Sequence, residues 1–134
     1  MSRANDRLEL IVALNCNDPR ADETNSFTLK LHETDIWDEA LYWKLDKAVI
    51  ELAARSRKRQ LPRKVVGDLV QTFHYIFGRL AYHRMPSDQS SIRDFSVEDC
   101  REWAERVEFV FIAAICGHNI DNDAFNKLNP LLQR

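Results

Sequence analysis

The side chains best suited to chemistry lie on one predicted helix, in the segment that ends "GRLAYHRMPSD". At about 100° per residue, Asp68, Thr72, Arg79 and His83 fall in a narrow band beside the apolar stripe of that helix. A row of carboxylate, guanidinium and imidazole can bind an anion or position a proton transfer. If the protein is an enzyme, the predicted catalytic residues are therefore Asp68, Arg79 and His83. The alternative is a solvated helix border whose i,i+4 pairs stabilise the helix only slightly.

One resemblance to a known family rests on the same helix. The HEPN family of helical-bundle ribonucleases and their relatives carries an Arg and a His separated by four to six residues. The segment "RLAYH" resembles that motif through Arg79 and His83, with three residues between them and Leu80 in place of the family's polar residue. The resemblance covers five residues. It implies metal-independent RNA cleavage at a dimer interface.

A second candidate is the basic run "RSRKRQLPRK", which brings six cations into ten residues. We call these cations the basic patch: Arg55, Arg57, Lys58, Arg59, Arg63 and Lys64. Such a run can grip phosphates through counterion release, or an acidic protein surface. No aromatic residue is interleaved with the cations and no helix-turn-helix spacing is present, so nucleic acid is the less favoured ligand. The alternative is a solvated helix end and loop.

The segment "CGHNIDND" offers potential metal ligands in Cys116, His118, Asp121 and Asp123. Zinc sites usually take close ligand pairs from two elements, whereas this run lies in one turn. A calcium loop would need a closing Glu that is missing here. Gly117 as a helix stop and Asp121 as the next N-cap explain the segment. We therefore predict no metal and no cofactor.

A protein-binding surface is predicted on helix 35–57. Ile36, Trp43 and Ile50 recur every seven positions, largely opposite the core stripe of that helix. Trp is a common interface anchor, and nine acids between positions 18 and 51 would steer a charged partner to the same region. The predicted partner-binding residues are Asp35, Ile36, Asp38, Glu39, Trp43 and Ile50. The alternative is that the N-terminal elements cover this strip.

Hydrophobic periodicity predicts the elements that must position these side chains. Alternating apolar and polar residues predict a strand over 26–32, paired with a strand over 7–15; a short buried helix is the alternative for the first segment. Helical periodicity predicts long helices over 35–57, 62–84 and 97–116. A short helix over 122–129 is predicted to follow. The predicted fold is mainly α (α+β), a bundle with an N-terminal two-stranded β-hairpin packed on it, in a single domain over 1–134.

The ends of the predicted helices carry capping signals. Thr34 or Asp35 is the predicted N-cap of the first long helix. Ser96 and Asp99 are spaced as a capping box for the third, and Gly117 is placed to end it in a left-handed conformation.

Composition narrows the functional class. Apolar residues are 45%, charged residues 30% and the formal net charge is −2, which is ordinary for a globular chain and gives no general attraction to nucleic acid or membrane. Three cysteines without CxxC spacing, no signal-peptide pattern and no stretch near the ~18 apolar residues of a membrane span predict a cytoplasmic protein with reduced thiols. There is no GxSxG, P-loop or Rossmann glycine pattern, so an enzyme is uncertain and disfavoured.

The favoured function is a small cytosolic protein-binding module, an inhibitor or immunity-type protein that neutralises a toxin or nuclease by occupying its surface. One alternative is a HEPN-like ribonuclease or RNA-binding component that uses Arg79 and His83. Another is a structural subunit of a larger assembly. The sequence leaves the identity of the partner and the oligomeric state open.

Overall fold

The structure, a computed structural model, describes residues 3–83 and 91–132 and folds them into a helical bundle. The helix bounds are α1 Arg3–Leu14, α2 Phe27–Thr34, α3 Glu39–Ser56, α4 Arg63–His83 and α5 Val97–Cys116, followed by 3-10 helices at Asn122–Ala124 and Pro130–Leu132. Helices α3 and α4 both pack against α5, α1 lies against α3 and α4, and the short α2 contacts the same two. Within these residues, no helix has the length and apolarity needed to cross a membrane.

The predicted N-terminal β-hairpin is wrong, because both segments are helical and the described residues contain no strand. In α2, the Ser26 hydroxyl caps the helix by accepting from the Leu29 N–H at 3.1 Å. Phe27 and Leu31, four positions apart, are fully buried, whereas Leu29 is half-buried. Burial therefore follows the helical period, and the alternation in this short segment is incidental.

The first segment takes the alternative form, a short buried helix. Leu8 and Val12 of α1 are buried at i,i+4 spacing, and Asn15 just beyond the helix continues the same face. The Asn15 carbonyl accepts hydrogen bonds from the hydroxyls of Thr28, at 2.8 Å, and Thr72, at 3.3 Å. This one carbonyl joins the end of α1 to α2 and α4.

The helix ends show where local signals succeed and fail. The capping box of Ser96 and Asp99 is confirmed, as is Gly117, which has a φ of 74°. The N-cap predicted at Thr34 or Asp35 is wrong: Asp35 ends α2 with a φ of 60°, and Asp38 caps α3. The helix predicted over 122–129 is also wrong, since only the 3-10 turn Asn122–Ala124 forms there. Helix α4 is confirmed as far as His83, and position 84 lies outside the described residues.

Aromatic rings fill one end of the core between α2, α3 and α5. Trp37, Tyr42, Trp43 and Trp103 are all buried. Their ring centroids lie close to one another, 4.9 Å apart for Trp37 and Trp103 and 4.8 Å for Trp43 and Trp103. Offset and edge-on ring pairs of this kind add to the free energy of burial.

A buried ion pair crosses the core between α3 and α5. Arg106 and Asp46 are both 0% exposed and bind through two contacts, Nε to Oδ1 at 3.1 Å and Nη2 to Oδ2 at 2.8 Å. The remaining guanidinium nitrogen donates to the Lys127 carbonyl at 2.9 Å. The Asn129 amide donates to Asp46 at 2.9 Å and to the Trp43 carbonyl at 3.0 Å. These bonds hold the irregular C-terminal segment against the bundle.

Candidate functional site

Arg79, the centre of the predicted catalytic row, is 8% exposed and fastens α4 to α2. Its guanidinium donates to the Asp35 carboxylate at 2.7 Å, to the Leu31 carbonyl at 3.2 Å and to the Tyr75 hydroxyl at 3.0 Å. Leu31 and Asp35 belong to the C-terminal end of α2, where the Leu31 carbonyl already accepts from the Asp35 N–H at 2.8 Å. Arg79 therefore adds a second hydrogen bond to that carbonyl and pairs with the side chain of the residue that ends the helix.

His83 links α4 to the segment before α5 through hydrogen bonds. Its Nδ1 accepts from the Ile92 N–H at 2.9 Å, so the neutral ring carries its proton on Nε2. That Nε2–H faces the Phe95 carbonyl at 2.8 Å and donates to it. Both ring nitrogens are thus committed to backbone groups.

The rest of the predicted row has separate partners. Asp68 pairs with Lys64 at 2.8 Å on the surface of α4, and the Thr72 hydroxyl donates to the Asn15 carbonyl. The band predicted from the sequence exists, but its members make four different contacts along the helix. The structure therefore does not bring Asp68, Arg79 and His83 together at one point.

The basic patch occupies the end of α3, the connecting loop and the first turn of α4. Lys64 pairs with Asp68, and Arg57 donates to the His118 carbonyl at 3.4 Å. Among the described residues, no carboxylate oxygen lies within 4.0 Å of the other four cations, Arg55, Lys58, Arg59 and Arg63.

The first turn of α4 makes this patch electrostatically unfavourable. Arg63 and Lys64 open the helix, where the macrodipole is positive and favours anions. Arg63 is therefore repelled both by its neighbours and by the helix end, whereas Lys64 is offset by its pair with Asp68 and Arg55 lies in the last turn of α3, where the dipole favours a cation. A bound anion would relieve both repulsions, so the patch is a candidate site for anionic groups.

The predicted partner-binding residues have divided roles. Asp35 is paired with Arg79, and Asp38 caps α3 while pairing with Lys30 at 2.8 Å. Trp43 is buried in the core, only 7% exposed, and Ile50 is half-buried. Ile36, 37% exposed, and Glu39 are the two that face solvent.

Both of these residues line a cavity of about 390 Å³ between the α2–α3 loop and the start of α5. We call it the aromatic cavity. Three rings line it, from Trp37, Phe95 and Trp103, and three carboxylates, from Glu39, Asp94 and Asp99. Sequence reasoning missed Asp94, Phe95 and Trp103 as site residues because two loops far apart in sequence meet only in the fold.

The loops that form the aromatic cavity have unusual backbone conformations. Asp35 and Asp94 are the non-glycine residues with positive φ in the described chain, at 60° and 54°. The Arg93 N–H donates to the Asp35 carbonyl at 2.9 Å and joins the two loops. Asp tolerates this conformation better than most residues, so both loops are held in a defined shape.

Asp99 is the carboxylate of the aromatic cavity with the clearest electrostatic control. The backbone N–H of Ser96, followed by the Lys127 ammonium at 3.2 Å, lowers the pKa of Asp99 below its usual value. Lys127 also lies 5.3 Å from the centroid of the Trp103 ring. One ammonium group of the chain therefore already binds the outer side of this aromatic and acidic cluster.

Another cavity, of about 500 Å³, lies beside Asn15, Cys16 and Gln71. Burial, followed by the negative charge of Asp68, raises the pKa of Cys16, which disfavours the reactive thiolate. Both polar groups of the Asn15 side chain have partners within the protein. Its amide nitrogen donates to the Ile11 carbonyl, and its oxygen accepts from the Thr28 N–H. This arrangement is structural.

In the part of the chain that the structure describes, no three His, Cys, Asp or Glu side chains converge as a metal site. Comparison with protein-family models, with curated proteins and with solved structures gives no match for this chain. The function must therefore be argued from its own surface.

Proposed function

We propose that the protein is a protein-binding module that docks on an acidic segment of its partner through the basic patch. The observation that carries this proposal is the set of four cations without a described carboxylate partner, clustered between the end of α3 and the start of α4, where Arg63 also meets the positive end of the helix dipole. Local electrostatic conflict that packing does not require is typical of functional surfaces. A partner carboxylate would remove the conflict on binding.

The charge distribution favours a short acidic protein segment over a long polyanion. The chain as a whole has a net charge of −2, so an extended nucleic acid would soon meet repelling surface. The patch also lacks aromatic side chains on which bases could stack. Inhibition of a toxin or nuclease remains one form that such a module would take.

RNA binding is the second candidate function, and the same free cations favour it. Arg side chains bind phosphate and carboxylate with similar geometry. The two ligands are separated by a direct comparison of probes that carry matched charge.

The test uses two fluorescent probes, a decapeptide rich in Glu and a ten-nucleotide single-stranded RNA, and measures anisotropy at several salt concentrations. The patch variant replaces three exposed cations of the unpaired set, Lys58→Gln, Arg59→Gln and Arg63→Gln. The control variant makes the same change in net charge elsewhere, Lys44→Gln, Lys47→Gln and Arg101→Gln.

The proposal predicts that the acidic peptide binds more tightly than RNA. The patch variant should lose about tenfold in peptide affinity, because three exposed ion contacts of roughly 0.5 kcal/mol each approach the 1.4 kcal/mol of a tenfold change. The control variant should bind as the unmodified protein does. Equal losses in both variants would show that only net charge matters and would refute the proposal; tighter binding of RNA would favour the second candidate.

A further inference from the structure

We propose that the aromatic cavity is a second binding site, one that takes a guanidinium group. This site lies at the end of the bundle opposite the basic patch: α3 begins beside the cavity and ends at the patch, and α4 runs back. It is independent of the function proposed above. Its ligand is cationic, whereas that of the basic patch is anionic.

The lining of the aromatic cavity has the chemistry that organic cations require. Trp37 lies 4.9 Å from Trp103 and 5.2 Å from Phe95, measured between ring centroids. A cation within about 6 Å of such rings is attracted by their quadrupole. Glu39 and Asp94 line the same cavity and carry carboxylates, and both residues are exposed.

These two carboxylates are available to a ligand. No cation of the described residues lies within 4.0 Å of Glu39 or Asp94, whereas Asp99 is already bound to Lys127. Arg93 also lines the cavity and reduces its negative charge. A guanidinium group can bind a carboxylate through two parallel hydrogen bonds and stack on a ring, so it uses both features at once.

The Trp37 indole belongs to the lining of the aromatic cavity. Trp37 is 8% exposed, and its indole N–H has no acceptor among the described residues. A buried donor without a partner is costly, and native structures hold few of them. The signal of this N–H therefore reports on changes in the cavity lining.

The chain itself shows that this combination is stable in its fold. The Arg106 guanidinium lies 5.2 Å from the Trp43 centroid and 5.3 Å from the Phe125 centroid while it pairs with Asp46. The aromatic cavity offers an incoming ligand the same two elements, rings and a carboxylate. Its volume of about 390 Å³ lies at the small end of ligand pockets and suits one side chain or amino acid.

The experiment follows the indole N–H signals of the ¹⁵N-labelled protein during titration with defined probes. N-acetyl-arginine methylamide represents an arginine side chain in a peptide, and free arginine represents a small molecule. The citrulline counterpart of the first probe has a neutral urea group in place of the guanidinium, and tetramethylammonium is a cation that cannot donate hydrogen bonds.

The proposal predicts a saturable shift of the Trp37 indole signal with the arginine probes, and at least tenfold weaker binding of the citrulline probe and of tetramethylammonium. Tighter binding of the blocked probe would identify a peptide side chain as the source, and tighter binding of free arginine a small molecule. No saturable shift, equal binding of the citrulline probe, or equal binding of tetramethylammonium would overturn the assignment.

Four variants keep the test interpretable. Phe95→Leu removes the ring and keeps the apolar volume, so affinity should fall at least fivefold, while Phe95→Tyr should restore it. Asp94→Asn keeps a residue that tolerates positive φ and should also weaken binding. Arg93→Gln removes the competing cation and should strengthen binding about twofold. If Phe95→Leu binds the arginine probes as the unmodified protein does, the rings are not the site.

Discussion

Removing the Asp46 carboxylate should destabilise the fold strongly. In Asp46→Ala, Arg106 would lose both of its charge-assisted bonds, at 3.1 and 2.8 Å, and stay buried without a counter-ion. The Asn129 amide would lose one of its acceptors, at 2.9 Å. Breaking a buried pair from one side costs about 3–5 kcal/mol, a large part of the stability of a typical domain.

The double variant Asp46→Leu with Arg106→Met removes both charges of the ion pair and shows what the fold loses when no buried charge is left unpaired. It leaves no buried ion, so its main cost is the Lys127 carbonyl, which loses its donor, and the Asn129 amide, which keeps only the Trp43 carbonyl as acceptor. That cost is roughly 1–3 kcal/mol. Urea unfolding followed by tryptophan fluorescence measures both variants, since Trp43 and Trp103 lie beside the pair. We expect the double variant to be more stable than Asp46→Ala. A loss below about 1 kcal/mol in Asp46→Ala, or a double variant that is the less stable one, would refute this reasoning.

Three further predictions concern elements around the core. His83→Ala should cost about 1–3 kcal/mol and speed hydrogen exchange at the Ile92 amide, which loses its acceptor; unchanged exchange would show that this bond is not formed. Gly117→Ala should lower the melting temperature, because Gly117 has a φ of 74° that alanine adopts only with strain. Gly78→Ala should raise the melting temperature, because the added methyl group meets no atom within 4 Å and alanine favours a helix. The opposite shifts would contradict both predictions. The pKa of Asp99 is lower in the folded chain than its usual 3.8. The ionised Asp99 carboxylate therefore contributes its full stabilisation above pH 3.8, and this contribution is lost as the pH falls through the lowered pKa of the folded state. Acid titration of Asp99→Asn should therefore show a smaller loss of stability below pH 4 than the unmodified protein; identical acid titrations would contradict it.

The long helices were predictable because their signals are local. The apolar stripe of α4 and the Ser96 capping box of α5 depend only on residues within a few positions. The prediction of a hairpin was wrong because a short apolar segment fits both the two-residue period of a strand and the 3.6-residue period of a helix. Burial against the rest of the fold decides between the two. In α2, the buried pair of Phe27 and Leu31 and the Ser26 cap determine the helix.

The polar row of α4 was predictable as a band on a helix but not as a set of contacts. Arg79 and His83 bind mainly to backbone carbonyls and amides of α2 and of the segment before α5, which have no signature in the sequence. The prediction that Trp43 is an exposed anchor failed for the same reason, since it depends on a contact between distant elements. Trp103 of α5, rather than an N-terminal element, packs on Trp43. The basic patch stays a prediction as a binding site, and the structure adds how few of its described cations are paired with carboxylates.

The most direct test of the proposed docking surface is site-specific cross-linking in the source cells. Gln60 lies exposed within the basic patch and is uncharged, so a photo-reactive residue there removes no cation. Glu105, exposed on α5, serves as the control position. The proposal predicts a discrete adduct with one protein at position 60 and none at position 105, and the cross-linked peptide of the partner should be acidic. An adduct with RNA, equal yields at both positions, or no adduct at position 60 would contradict it.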